Sequence, residues 1–181
     1  MRRGTEPPSA PGGPQPPGPP EQVIAGRAWH AGRLQPVEIA IDADGRIASV
    51  GRVRTGGVRH DFGERVLLPA ATDLHVHLRE PGGAGESIPS GTIEAALGGV
   101  SLVGEMPNTD PPVTTPDRLD AKAALVRGRA AVDVLLYAAP REPSGVERLS
   151  RNAGAFKLFL SPTTAIEEVP DPAVHGLNLL R

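Results

Sequence analysis

Two histidines one residue apart, His75 and His77, stand in the segment DLHVHLREPG (73–82), with Asp73 before them and Arg79 behind. In an extended strand, side chains at i and i+2 share a face. Asp73, His75 and His77 then look one way, and Leu74, Val76 and Leu78 the other. Two imidazoles on one face can converge on a divalent metal such as zinc, which accepts their nitrogens at about 2.0–2.1 Å. The same pattern also suits two histidines hydrogen-bonded in a polar barrel mouth. Arg79 offers a planar fork that matches a carboxylate in two parallel bonds, or else a surface ion pair with Glu80. Asn108 follows Pro107 at the end of an apolar run, where it is either a binding amide or a turn former. Lys157, between apolar neighbours in GAFKLFL (154–160), either serves chemistry or snorkels out of a strand end.

The elements that must carry these groups follow from the pattern. Residues 7–20 hold eight prolines and three glycines. That stretch has few backbone donors and few apolar side chains, so residues 1–20 read as a disordered Pro-rich tail. Residues 21–66 read as a small β-sandwich module, with a hairpin turning at Asp44-Gly45. Val37, Ile39 and Ile41 lie before that turn, and Ile47 and Val50 after it. Residues 67–181 change rhythm, beginning with RVLLPAATDLHVHL (65–78), a first strand. SIPSGTIEAALGG follows as a helix ended by Gly98-Gly99, and VSLVGEM (100–106) is the second strand. A second helix starts at the N-cap Thr115 with Pro116 at N1, and its apolar stripe is Leu119, Ala123 and Val126. AVDVLLYAA (131–139), the short helix SGVERLSRN and the strand GAFKLFLS (154–161) complete the series. The tail PTTAIEEVPDPAVHGLNLLR is expected to begin a further helix broken by Pro170 and Pro172. Strands alternating with helices indicate parallel βα units, here about four, which is half of an eight-stranded barrel.

The totals exclude several function classes. A formal net charge of −2 gives no sign of a nucleic-acid or membrane-surface partner. Absent cysteine removes disulfides, zinc-thiolate sites and thiol nucleophiles. No run approaches the ~18 apolar residues of a membrane span, and the N-terminus has no apolar signal core. A cytoplasmic location is expected.

Taken together, DLHVHLREPG, SGTIEAALGGVSLVGEMPNTDPP (90–112) and GAFKLFL resemble three consecutive blocks of the cyclic amidohydrolases, most closely the dihydroorotases. The resemblance covers roughly residues 21–165. It implies an α/β fold, a TIM-type (β/α)8 barrel of the amidohydrolase superfamily with only about its first four βα units present, preceded by a small β module. His75 and His77 match the HxH ligands of the more buried metal. Arg79 matches the arginine that holds the substrate carboxylate, and Asn108 the asparagine that assists it. Lys157 matches a lysine that takes up carbon dioxide and bridges two zinc ions as a carbamate. The charge argument agrees, because an ammonium about 4 Å from a dication is repelled by roughly 8 kcal/mol at an effective dielectric near 20. Lys157 is therefore carboxylated, or no metal lies near it.

The implied activity is the metal-dependent, reversible hydrolysis of dihydroorotate to N-carbamoyl-aspartate in pyrimidine biosynthesis, with one or two zinc ions. The family's acid/base aspartate and two further histidine ligands come from strands beyond the chain end, so no catalytic acid/base residue is assigned here, and the chain reads as a fragment. His175 lies in the wrong context for a ligand, and His30 and His60 read as surface residues of the β module. Two departures from the family pattern are visible, Ala70 in place of a glycine after Pro69 and a shortened loop before Glu86. An allantoinase- or hydantoinase-like amidohydrolase is the nearest alternative, disfavoured by Arg79. The other is a non-catalytic homologue that scaffolds a partner such as a transcarbamoylase. Self-association into a homo-oligomer is also open.

Overall fold

The computed structural model describes residues 20–53 and 56–167. It divides into two compact units, Met1–Pro69 and Ala70–Arg181. The Pro-rich tail up to residue 19 and the segment after residue 167, with His175, lie outside the described residues.

The first unit is a sheet of β1 (Gln22–His30), β2 (Arg33–Ile41), β3 (Ile47–Gly51) and β4 (Val58–Val66), in the order β3-β2-β1-β4. β1 and β2 form a hairpin closed by Ala31 and Gly32, whose φ values of 50° and 80° match the right-handed twist of the strands. The β2–β3 turn falls at Asp44-Gly45, as the residues suggest. Asp42 Oδ1 accepts from the backbone N–H groups of Asp44 (3.0 Å) and Arg46 (2.8 Å), and Gly45 takes φ 74°. β4 returns parallel to β1. Val23, Ala25, Val37 and Ala40 are buried, whereas Ile47, beyond the turn, is 65% exposed. The described residues of this unit form a single four-stranded sheet.

The second unit is a parallel sheet, β5 (Ala71–Val76), β6 (Val100–Glu105), β7 (Asp133–Ala138) and β8 (Ala155–Phe156), in sequence order. Helices α1 (Ile88–Leu97), α2 (Pro116–Val126) and α3 (Pro143–Leu149) connect successive strands. Ser87 caps α1 through a reciprocal bond with Ser90, and Thr115 caps α2 by accepting from Arg118 N–H. Two apolar clusters hold the helices on the sheet. Leu78, Ile88 and Val103 form one, and Val113, Leu119, Leu136, Ala138 and Leu149 the other, with Val126 and Val134 packed against both.

Two expectations are corrected. The first strand does not run from 65 to 78, because Arg65 and Val66 belong to β4 and β5 begins at Ala71. Between them Leu67 N–H bonds to Arg27 O at 2.7 Å, and Pro69 has no N–H to extend a ladder. The fourth strand shrinks to two residues, since β7 ends at Ala138 and the N–H of Lys157 takes its last carbonyl at 2.8 Å. After it no helix has begun by residue 167, where Thr163 and Ile166 exchange two backbone bonds of 2.9 Å each in a tight turn around Ala165 at φ 58°, and the rest of the expected helix lies outside the described residues. Four strands and three connecting helices are therefore described where four βα units were expected.

Candidate metal and substrate site at the strand ends

In a parallel sheet every strand points the same way, so the residues after each strand gather at one edge. His77 follows β5 by one residue, Asn108 lies three past β6, and Lys157 directly follows β8. The sheet topology alone thus delivers these groups to the same end of the unit.

The first strand is irregular where it carries the histidines. Asp73 pairs with Val103 and Val76 with Glu105, so β5 holds one residue more than β6 between these points. This is a bulge, which re-aims a strand locally. Asp73 is drawn into it, its Oδ1 accepting from His75 N–H at 3.0 Å, so it does not join the histidines as strand alternation suggests. The bulge lies on Gly104, where an added Cβ would come within 2.6 Å of Leu74 O and 2.9 Å of its Cα. Glycine is required there by backbone contact. The rings of His75 and His77 end 5.4 Å apart between centroids and tilted by 57°. His75 is exposed and His77 half-buried.

Electrostatics shows what surrounds them. Burial pushes the His77 imidazole below its usual range, and the positive charges of Arg79, His75, Lys157 and Lys122 push it the same way. The shift favours the neutral imidazole, whose ring lone pair can donate to a metal. Lys157 also stands 5.7 Å from the centroid of the Phe159 ring, a cation–π distance.

Among the described residues, Arg79 is one of three non-glycine residues at positive φ, at 58°. For such a residue the conformation costs roughly 1–2 kcal/mol, and the surroundings impose it. Leu78 N–H donates to Glu105 Oε2 at 2.7 Å, Gly83 N–H to Arg79 O at 2.7 Å, and Asp110 N–H to Pro81 O at 3.1 Å. Glu80 takes Ile88 N–H at 2.9 Å and the Arg129 guanidinium at 2.7 Å. The Arg79–Glu80 pair considered from sequence is therefore not formed. Among the described residues the Arg79 guanidinium has no ion-pair partner.

Asn108 is buried. Its Nδ2 lies 3.5 Å from Thr163 Oγ1, a long hydrogen bond, and its Oδ1 is buried with no hydrogen-bond partner among the described residues. An unsatisfied buried acceptor costs about 1–3 kcal/mol, which a ligand donor would recover.

Glu105, Lys122 and Gly104 were not singled out from the sequence. Glu105 and Lys122 form an ion pair of 2.8 Å with both side chains 1% exposed, and Lys122 also bonds Met106 O at 3.0 Å. Burial holds the Lys122 ammonium below its usual range, opposed by Glu105. A signal was present. Glu105 shares strand parity with buried Val103, and Lys122 falls between Leu119 and Val126 in the α2 stripe. One acid and one base on facing apolar surfaces mark a buried pair.

No three His, Cys, Asp or Glu side chains cluster among the described residues. The nitrogen donors present are the two imidazoles, with Lys157 close enough to act on His77 electrostatically. That donor set suits part of a zinc shell, provided Lys157 loses its positive charge.

Residues 64–161 match the family model described as dihydro-orotase-like. A dihydroorotase of Lactiplantibacillus plantarum is 39% identical over 134 residues, covering 71% of this chain and 31% of that protein. An allantoinase of Rubrobacter xylanophilus is 36% identical over 148 residues, covering 78% of this chain and 32% of its own. The structure of an L-hydantoinase from Arthrobacter aurescens superposes with a TM-score of 0.73 at 20% identity, over 88% of this chain and 37% of that one, which shows a shared fold. The chain spans about a third of the length of these relatives. With the matched segment covering more than half of its residues, the chain belongs to the dihydroorotase-like family.

Proposed function

We propose that this chain supplies the N-terminal part of a dihydroorotase active site, for the reversible hydrolysis of dihydroorotate to N-carbamoyl-aspartate. The observation that supports it best is Arg79. Its backbone is forced to φ 58°, its neighbour Glu80 is taken by Arg129, and among the described residues its guanidinium, which acts electrostatically on His77, has no counter-ion. A fork kept in that condition is suited to a carboxylate that arrives with the substrate.

The other residues then divide the work. His75 and His77 would hold zinc by ring nitrogen. Lys157 would join them after its ammonium gives up one proton and the neutral Nζ adds to carbon dioxide with release of a second, which turns a repelled cation into a carbamate anion. Bound there, zinc would supply a Lewis acid and a water acidic enough to ionise near neutral pH. Asn108 takes a modified role. Its free atom is the acceptor Oδ1, which suits a ring N–H of the substrate better than the carboxylate. The site described here supplies ligands and a substrate clamp, and the proton shuttle is assigned to none of its residues.

An allantoinase-like reading has one specific support, the allantoinase relative, which covers slightly more of the chain than the dihydroorotase does. Calorimetric titration separates the two. The zinc-loaded chain is expected to bind dihydroorotate and N-carbamoyl-aspartate in preference to allantoin, which has no carboxylate. Arg79→Ala should weaken binding of the two carboxylates by about tenfold to a hundredfold, the worth of charge-assisted hydrogen bonds of about 1.5–3 kcal/mol. Preference for allantoin, or unchanged binding in Arg79→Ala, would overturn the proposal.

A further inference from the structure

Glu105 does something that an ion pair between a sheet and a helix does not require. Oε1 receives Lys122 Nζ at 2.8 Å, while Oε2 receives the backbone N–H of Leu78 at 2.7 Å. Leu78 lies between His77 and Arg79, beyond the end of β5, where no ladder partner holds it. Lys122 in turn bonds Met106 O, at the start of the loop that carries Asn108. A single buried pair thus grips the backbone between a proposed metal ligand and the proposed carboxylate clamp, and also the root of the second substrate loop.

We propose that Glu105 is a positioning residue for this site. Its carboxylate fixes the Leu78 peptide, and so sets the direction in which His77 and Arg79 leave the strand, while Lys122 holds the carboxylate in place. The inference rests on His75, His77 and Arg79 forming the site proposed above. Outer groups that orient metal ligands commonly change metal affinity by about tenfold to a hundredfold when removed. The Arg79 backbone gives an independent reason for such a clamp, since a residue held at positive φ relaxes when its neighbours are released.

Two paired substitutions separate positioning from mere support. Glu105→Met with Lys122→Met removes both charges and also the acceptor for Leu78 N–H. Glu105→Gln with Lys122→Met removes the ion pair but keeps a side-chain carbonyl for that N–H. Three quantities are read in each protein: the urea midpoint, zinc affinity by competition with a chromophoric chelator, and amide exchange at Leu78 against that at Met106, whose N–H is held by the Val76 carbonyl. Positioning predicts that the Gln/Met protein keeps zinc affinity and Leu78 protection. The Met/Met protein, of similar stability, should lose about tenfold to a hundredfold in zinc affinity and exchange Leu78 faster with Met106 unchanged. Equal zinc affinity and equal Leu78 exchange in the two would show that the pair only supports the fold, and would overturn the inference. Should the parent chain take up no zinc, the proposed metal site falls, and the exchange contrast still decides whether Glu105 positions the peptide. If the Met/Met protein does not fold, Glu105→Gln with Lys122 retained serves instead. Retained Leu78 protection there supports positioning, and its loss opposes it.

Discussion

The two units use the same device at different depths. In the small sheet, Glu38 accepts Arg59 at 2.8 Å with one carboxylate oxygen and the backbone N–H of Val53 with the other. In the parallel unit, Glu105 divides itself in the same way between Lys122 and Leu78 N–H, and Glu80 between Arg129 and Ile88 N–H. The surroundings differ. The Glu38 and Arg59 side chains are 22% and 48% exposed, whereas Glu105 and Lys122 are 1% exposed each. Water can replace Arg59 when it is lost, but nothing can replace Lys122. A carboxylate that bonds a cation and a peptide is therefore a surface ornament at Glu38 and a structural commitment at Glu105.

The most direct attempt to break that contrast removes the cation on each side. Lys122→Ala strands a buried carboxylate, and removing one partner of a buried pair costs about 3–5 kcal/mol. Urea unfolding should show a midpoint lowered accordingly, and a loss no greater than that of an exposed pair would refute the depth argument.

Two glycines sharpen it further. A Cβ at Gly26 in β1 would meet chiefly the Leu67 side chain, at 2.8 Å, with Arg65 O at 3.1 Å. A Cβ at Gly104 would meet only the backbone of Leu74. Side-chain ends can rotate away, and a backbone paired in a sheet cannot. Gly104→Ala should cost about 1–3 kcal/mol, as overpacking does, and should also weaken zinc uptake, because the strand that must move carries His75. Gly26→Ala should cost less and leave zinc uptake unchanged. Thermal unfolding and zinc titration of both variants check the pair, and equal effects would remove the distinction.

These features explain what could be read from the residues alone. The alternation of strands and helices was plain because the caps Ser87 and Thr115 and the breakers Gly98-Gly99 sit where local chemistry puts them. His75, His77, Arg79, Asn108 and Lys157 could be chosen by type and spacing. The bulge at Gly104 could not, since it depends on how two strands register, which is a non-local property. The Glu105–Lys122 pair was half visible, from its polar residues on apolar faces, but its bond to Leu78 N–H follows from that same register. The shortness of β8 likewise depends on where β7 stops offering carbonyls.

Acid brings out a smaller difference. The Glu80 carboxyl is held below its usual value, first by the hydrogen bond from Arg129 and then by Ile88 N–H, against the opposing effect of burial. The unfolded chain binds a proton on this group at a higher pH than the folded chain does. Stability from Glu80 is therefore complete above the unfolded value, about 4.3, and is lost as pH falls through the lower folded value. Glu80→Gln should flatten the acid limb of a stability–pH curve below about pH 4, and an unchanged limb would show that the bonds to Arg129 and Ile88 do not favour the ionised form.

The smallest expected effect completes the contrast. Glu38 is also held low, first by Arg59 and then by Val53 N–H, so its acid response has the same sign as that of Glu80. What separates the Glu38 pair from the buried Glu105 pair is solvent. The Arg59 side chain is 48% exposed and has Asp61 as a second partner at 3.7 Å, so its field is shared and open to screening. Arg59→Ala should leave the urea midpoint unchanged in moderate salt, since exposed pairs contribute little and added ions weaken them further. Any deficit that does appear should be seen at low ionic strength and vanish as salt is raised, whereas the Lys122→Ala deficit should persist. If the Arg59→Ala loss survived high salt, the surface pair would be acting through packing, and exposure would not be what divides the Glu38 pair from the Glu105 pair.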